Sequence, residues 1–168
     1  ATLGDPVSLT VSIRDAAGNI GECTSYVDVI GLPCGWEEGP ADGSMGCDGN
    51  TSVDYDPGNE SFILKADGCW HDCREPDRGV NAYQSLCGDG TLTARLASIS
   101  SGGYAGLMAR ESLDPEARRA GILKDRSTRR VRREWRATYG GIVSQSISNH
   151  RRVKWFRIVR DGNQIKSY

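Results

Sequence analysis

Side chains able to do covalent chemistry are few in this chain. Histidine occurs only at 71 and 150, and no serine or cysteine stands in the strained strand-to-helix turn that exposes a nucleophile. Glycoside hydrolysis needs two carboxyl groups facing one bond. Glu111, Asp114 and Glu116 are close in sequence, but GLMARESLDPEAR places them around a turn rather than along one strand. Glu111, directly after Arg110, reads as half of a sheet-end ion pair. These residues point away from an enzyme.

Binding chemistry is better supplied. Trp70, Trp135, Tyr139 and Trp155 are the candidates for aromatic faces on which sugar rings stack. Trp70 is expected to be exposed on a polar loop. Trp135 and Trp155 are expected in the core, where a strand tryptophan of a sandwich usually sits. Asp42, Asp48, Asp54 and Asp56 supply hard oxygen ligands of the kind calcium takes, though without EF-hand spacing. No other cofactor is expected. Arg129, Arg130, Arg132, Arg136, Arg151 and Arg152 are the candidate basic interaction face.

Charge is unevenly distributed. Residues 1–109 hold 5 Lys/Arg and 16 Asp/Glu, a balance of −11, whereas residues 110–168 hold 16 and 6, a balance of +10. Such a chain neutralises itself within one fold, docks on a copy of itself or on a neighbouring domain, or holds an anionic polymer. Acidic polysaccharide is the expected polymer and nucleic acid is not. The six cysteines, at 23, 34, 47, 69, 73 and 87, lack C-x-x-C spacing, so disulfides and an oxidising compartment are expected rather than zinc. Pairing of Cys34 with Cys47, and of Cys87 with Cys69 or Cys73, is the expected arrangement. Sequons at Asn50 and Asn59 accord with secretion or display at the cell surface. No apolar run approaches the roughly 20 residues of a membrane helix, so insertion is not expected. The chain opens at Ala1 without a signal peptide and reads as a processed or excised piece of a longer product.

The elements that must position these groups read as strands throughout. Val7 to Ile13 alternates strictly, and Cys23 to Ile30 returns as its hairpin partner. Ser52 to Asp56 and Ser61 to Ala66 flank a Pro57-Gly58 turn, and Val80 to Leu86 follows. Asp89-Gly90 leads into Thr91 to Ile99, with Leu92, Ala94 and Leu96 on one face. Ser100 to Gly103 then breaks the chain before Tyr104 to Arg110, and the two strands are expected to form a meander. Asp114-Pro115 reads as a capped stop. Further strands are expected at 120–124, 129–137, 142–147, 153–160 and 164–168. Asp161-Gly162-Asn163 is a hairpin turn signal. In Arg129 to Ala137, Val131, Arg133 and Trp135 occupy one face, and Arg130, Arg132, Glu134 and Arg136 the other.

Two resemblances follow from these blocks. SIRDAAGNIGECTSYVDV is similar to the closing strands of a hyalin-repeat domain, a small immunoglobulin-like sandwich. This implies a terminal hairpin unit over residues 1–31 that needs another surface to pack on. From residue 32 to 168, CGWEEGPADGSMG, GYAGLMARESLDP, REWRATYGG and WFRIVRDGN resemble the concanavalin A-like jelly-roll domain of bacterial secreted and surface proteins. That resemblance implies an antiparallel β-sandwich of about a dozen strands with no catalysis by default, serving in adhesion or carbohydrate binding. The fold expectation is therefore all-β: an antiparallel jelly-roll sandwich preceded by an immunoglobulin-like β-hairpin. The functional expectation is an extracellular adhesive or structural subunit, with carbohydrate binding as the alternative.

Overall fold

The structure, a computed structural model, describes residues 7–14, 20–27, 32–33, 35–40, 51–66, 77–100 and 102–168, with only the backbone for the first two segments and Pro40. Every regular element among them is a strand. In chain order these are β1 (Val7–Arg14), β2 (Ile20–Val27), β3 (Glu37–Pro40), β4 (Thr51–Asp56), β5 (Ser61–Ala66), β6 (Val80–Tyr83) and β7 (Gly90–Arg95). They are followed by β8 (Tyr104–Arg110), β9 (Arg119–Asp125), β10 (Val131–Arg136), β11 (Ser144–Ser148), β12 (Trp155–Asp161) and β13 (Gln164–Ser167).

The strands build a four-stranded sheet in the order β11-β10-β9-β8, a three-stranded sheet in the order β13-β12-β7, and three two-stranded ribbons. All described pairings are antiparallel. The ribbons pair β1 with β2, β3 with β6 and β4 with β5. In the last, the rings of Trp36 and Tyr55 pack against Phe62 at centroid distances of 4.6 and 5.1 Å.

The two larger sheets face each other. Leu107, Ile122 and Val131 of one meet Phe156 and Ile158 of the other, with Ala94, Leu96, Ala109 and Val153 around them. The register explains the assignment, because cross-strand partners share a face. Leu107 is opposite Ile122, and Lys124 opposite Val131. Period two then sends Ala105, Ala109, Arg133 and Trp135 to the same side. Gly106 makes the closest strand approach possible: a Cβ there would stand 2.0 Å from the Ile122 carbonyl oxygen.

The expected meander of β7 and β8 is not formed. β7 pairs with β12 and β8 with β9, so residues 96–103 carry the chain from one layer to the other. Alternation fixes which residues share a face but leaves the partner strand open, and Ser100 to Gly103 is long enough to cross between layers. Asp114-Pro115 starts no helix. Residues 111–117 form bends and turns, closed by an Asp114 carboxylate that accepts from the Glu116 amide at 2.8 Å.

Candidate functional site

The three-stranded sheet lies over β8 and β9. The core-facing side of β10 and β11 therefore overhangs it, and Arg133, Trp135, Ser144 and Ser146 are exposed there. Trp135 is 42% exposed and Trp155 62%, which corrects the expectation that both belong to the core. Trp155 points to the outer side of its sheet, opposite Arg95 and two residues from Arg157, whereas Phe156 takes the buried side. Tyr139 is exposed near the far end of β10, and its hydroxyl donates to Asp114 at 3.0 Å. The three described aromatic candidates thus occupy separate surfaces. Trp70 lies outside the described residues.

The even face of β10, which carries Arg132 and Arg136 of the candidate basic interaction face, is buried. The Glu134 side chain is fully covered, accepting from Arg119 and Arg132 at 3.2 Å each. Asp77 is surrounded by three guanidinium groups, Arg110 at 2.5 Å, Arg119 at 2.9 Å and Arg136 at 3.0 Å. Arg136 also donates to the carbonyls of Pro115, Ala117 and Gly141. The register explains the gathering, because Arg136 is opposite Arg119, which is opposite Arg110. Burial pushes the Arg119 guanidinium below its ordinary value, and the charges of Asp77 and Glu134 oppose that shift. A carboxylate so enclosed by guanidinium groups is bound structurally. Both acids are buried, Asp77 at 5% and Glu134 at 1% exposure.

The sequence-predicted basic face therefore divides. Arg132 and Arg136 belong to the buried network. Arg130 stands on the far side of the β9–β10 turn, beside Arg132 and Ile147. Arg129, Arg151 and Arg152 line a groove of about 330 Å³ together with Lys124, Arg126 and Lys154, which sequence reasoning had not singled out. Three segments converge on it: residues 96–99 after β7, the β9–β10 turn, and residues 151–154 before β12. Its apolar wall comes from Leu96, Ile99 and Val153. The signal for Lys124 was its parity. It alternates with Ile122 on the packed side of β9, so a cation had to be buried at the end of the core.

Two side chains shape the groove. Lys124 Nζ donates to the carbonyls of His150 and Arg151, at 3.2 and 2.6 Å, and ties the β11–β12 loop to β9. Burial, aided by the neighbouring charge of Arg129, holds its ammonium below the usual lysine range. Asp125 closes the turn by accepting from the amides of Ser127 and Thr128 and from the Thr128 hydroxyl. Burial raises the Asp125 carboxyl, but those hydrogen bonds and the charge of Arg132 outweigh it and leave the group below the ordinary aspartate value. Arg129 sits at a left-handed φ of 59° at the end of this turn.

The remaining candidates form no cluster among the described residues. Among the described residues no group of His, Cys, Asp or Glu could hold a metal ion. Asp56 is engaged by the Gly58 amide at 2.9 Å and by the Asn59 side chain at 2.6 Å, while Asp54 accepts from Ser52. Asp42, Asp48 and Asn50 lie outside the described residues. Asn59 is exposed in the β4–β5 turn. Cys87 has an exposed, free thiol in the polar stretch between β6 and β7, and its expected partners Cys69 and Cys73 lie outside the described residues. Cys34 and Cys47 lie outside them too, and Cys23 is placed by its backbone opposite Val11. Glu111 forms a bidentate pair with Arg118, at 2.5 and 2.9 Å, away from Asp114.

No family model, no curated protein and no solved structure matches this chain.

Proposed function

We propose that the chain is a non-catalytic β-sandwich of a secreted or cell-surface adhesion or assembly system, and that it acts by docking sheet against sheet. The jelly-roll reading of residues 32–168, and the immunoglobulin-like reading of the preceding hairpin, belong to this proposal. The observation that carries it is the overhang. Beyond the buried Val131, the core-facing side of β10 and β11 carries Arg133, Trp135, Ser144 and Ser146 exposed, and among the described residues no strand pairs the outer edge of β11. An uncovered face beside an unpaired edge is the surface that strand addition uses. The occupant argued for is a second copy of this chain, because the acidic residues 1–109 complement the basic residues 110–168.

Light scattering and negative-stain imaging test this. Oligomers or filaments that are lost in Ser146→Lys, with the monomer still folded, are the expected result. A wild-type chain that stays monomeric at about millimolar concentration, far above the micromolar range of a specific complex, overturns it.

Carbohydrate binding remains a second reading, favoured by Trp155 standing exposed beside Arg95 and Arg157 on the outer side of its sheet. Retention of the monomer on a glycan column, abolished in Trp155→Ala, would select it. Passage of the wild-type chain without delay would exclude it.

A further inference from the structure

We propose that the groove between the β7–β8 crossing, the β9–β10 turn and the β11–β12 loop binds an acidic saccharide through its sulfate or carboxylate groups. The groove does not include the overhanging face, but its cations belong to the basic residues invoked for self-association, so saccharide binding is measured on the monomer.

Arg126, Arg129, Arg151, Arg152 and Lys154 are exposed and line a single concavity, and Asp125 is the one acid among the lining residues. No ion pair joins any of these five cations to another described residue. The Asp125 carboxylate bonds to Ser127 and Thr128 and forms no ion pair with these five, so its single negative charge offsets only part of their positive charge. Five like charges around one groove raise the local potential and the concentration of counter-ions there. Lys124, a sixth cation at the inner end of the groove, is tied to main-chain carbonyls and turned away from solvent.

The shape of the groove narrows the class of anion. Its volume lies at the lower end of small-ligand sites, which suits one or two sugar rings. The aliphatic wall of Leu96, Ile99 and Val153 would accept the C–H face of a ring while guanidinium forks grip sulfate or carboxylate oxygens. No aromatic side chain lines it, so the stacking platform that single-stranded nucleic acid uses is missing. It is also formed mainly from turns and strand ends rather than from a free strand edge, so an extended acidic peptide would find no main-chain ladder.

The test uses the intact chain with a sulfated oligosaccharide, a polyuronate, neutral dextran and single-stranded DNA, titrated by calorimetry from about 0.05 to 0.5 M salt. Expected are binding of the two acidic saccharides with affinity falling as salt rises, and no binding of dextran. The double variant Arg129→Ala/Arg152→Ala should bind at least about tenfold more weakly, equivalent to about 1.4 kcal/mol, with unchanged far-UV circular dichroism. Both side chains are exposed, so their loss leaves the core intact. Unchanged affinity in that variant overturns the assignment. So does tighter binding of the DNA than of a sulfated chain carrying equal charge, or an affinity for dextran equal to that for the acidic chains.

Discussion

Asp77 shows how a single residue decides what a strand face is for. Period-two alternation in β10 collects Arg132, Glu134 and Arg136 on one side, and a charged stripe of that kind is ordinarily the solvated one. Here Arg110, Arg119 and Arg136 close around Asp77, whose side chain is 7% exposed. Removing one partner of a buried ionic cluster leaves uncompensated charge, which typically costs about 3–5 kcal/mol. Asp77→Asn is therefore expected to lower stability by about that amount in urea unfolding. A loss below about 1 kcal/mol would mean that the cluster is solvated rather than buried. Asp125 gives the corresponding pH signature. Its folded carboxyl lies below the ordinary aspartate value near ~3.9. The stabilisation it supplies is thus fully present above that value and is lost as pH falls through the depressed one. Unfolding of the wild type compared with Asp125→Asn should show a gap that closes below about pH 4. A gap constant from pH 7 to pH 2 would contradict the ionised carboxylate as its source.

At the scale of elements, what was legible followed from local rules. The ends of β8, the β4–β5 ribbon with its Pro57-Gly58 turn, and the β12–β13 hairpin at Gly162, with its φ of 55°, were all written in turn chemistry and alternation. Partner choice was not. Residues 96–103 looked like a hairpin connection but are an interlayer crossing, because the complement of β7 lies some sixty residues on, in β12. Burial was misread for the same reason. Trp135 and Trp155 are apolar by type, yet one stands where its sheet overhangs the other and the other faces outward, and only the relative width and position of two sheets determine that. The groove was legible in part. Arg129, Arg151 and Arg152 were chosen from charge density, while Lys124, Arg126 and Lys154 needed the convergence of three segments distant in sequence. Gly106 tests the packing of β8 on β9. A methyl group 2.0 Å from the Ile122 carbonyl cannot be accommodated unless the strands part. Gly106→Ala should destabilise by about 1–3 kcal/mol, the usual range for overpacking. Amide exchange should accelerate in β8 and β9 before it does in β12. Exchange unchanged in those two strands would show that the approach is looser than this.

The charge pattern of the whole molecule and the overhang of its larger sheet lead to one expectation about association. A chain with a net charge of −1 gains little long-range repulsion from like copies, so nothing of that kind opposes self-docking. In the self-docking we propose, the acidic and basic parts of the sequence, at −11 and +10, supply the attraction, and the β10–β11 overhang supplies the surface. These two contributions respond differently to salt. Exposed charges are screened beyond roughly 8 Å at 0.15 M ionic strength and beyond roughly 3 Å at 1 M. Burial of Trp135 and main-chain pairing along β11 are not screened in this way. Self-association should therefore weaken at least about tenfold between 0.05 and 0.5 M salt by sedimentation equilibrium, following that screening, without vanishing. Trp135→Ala should lower the affinity remaining at high salt and leave the salt slope in place. A slope that disappears with Trp135 would show that charge and overhang are one interface rather than two contributions. Association that strengthens with salt would remove the electrostatic half of the argument.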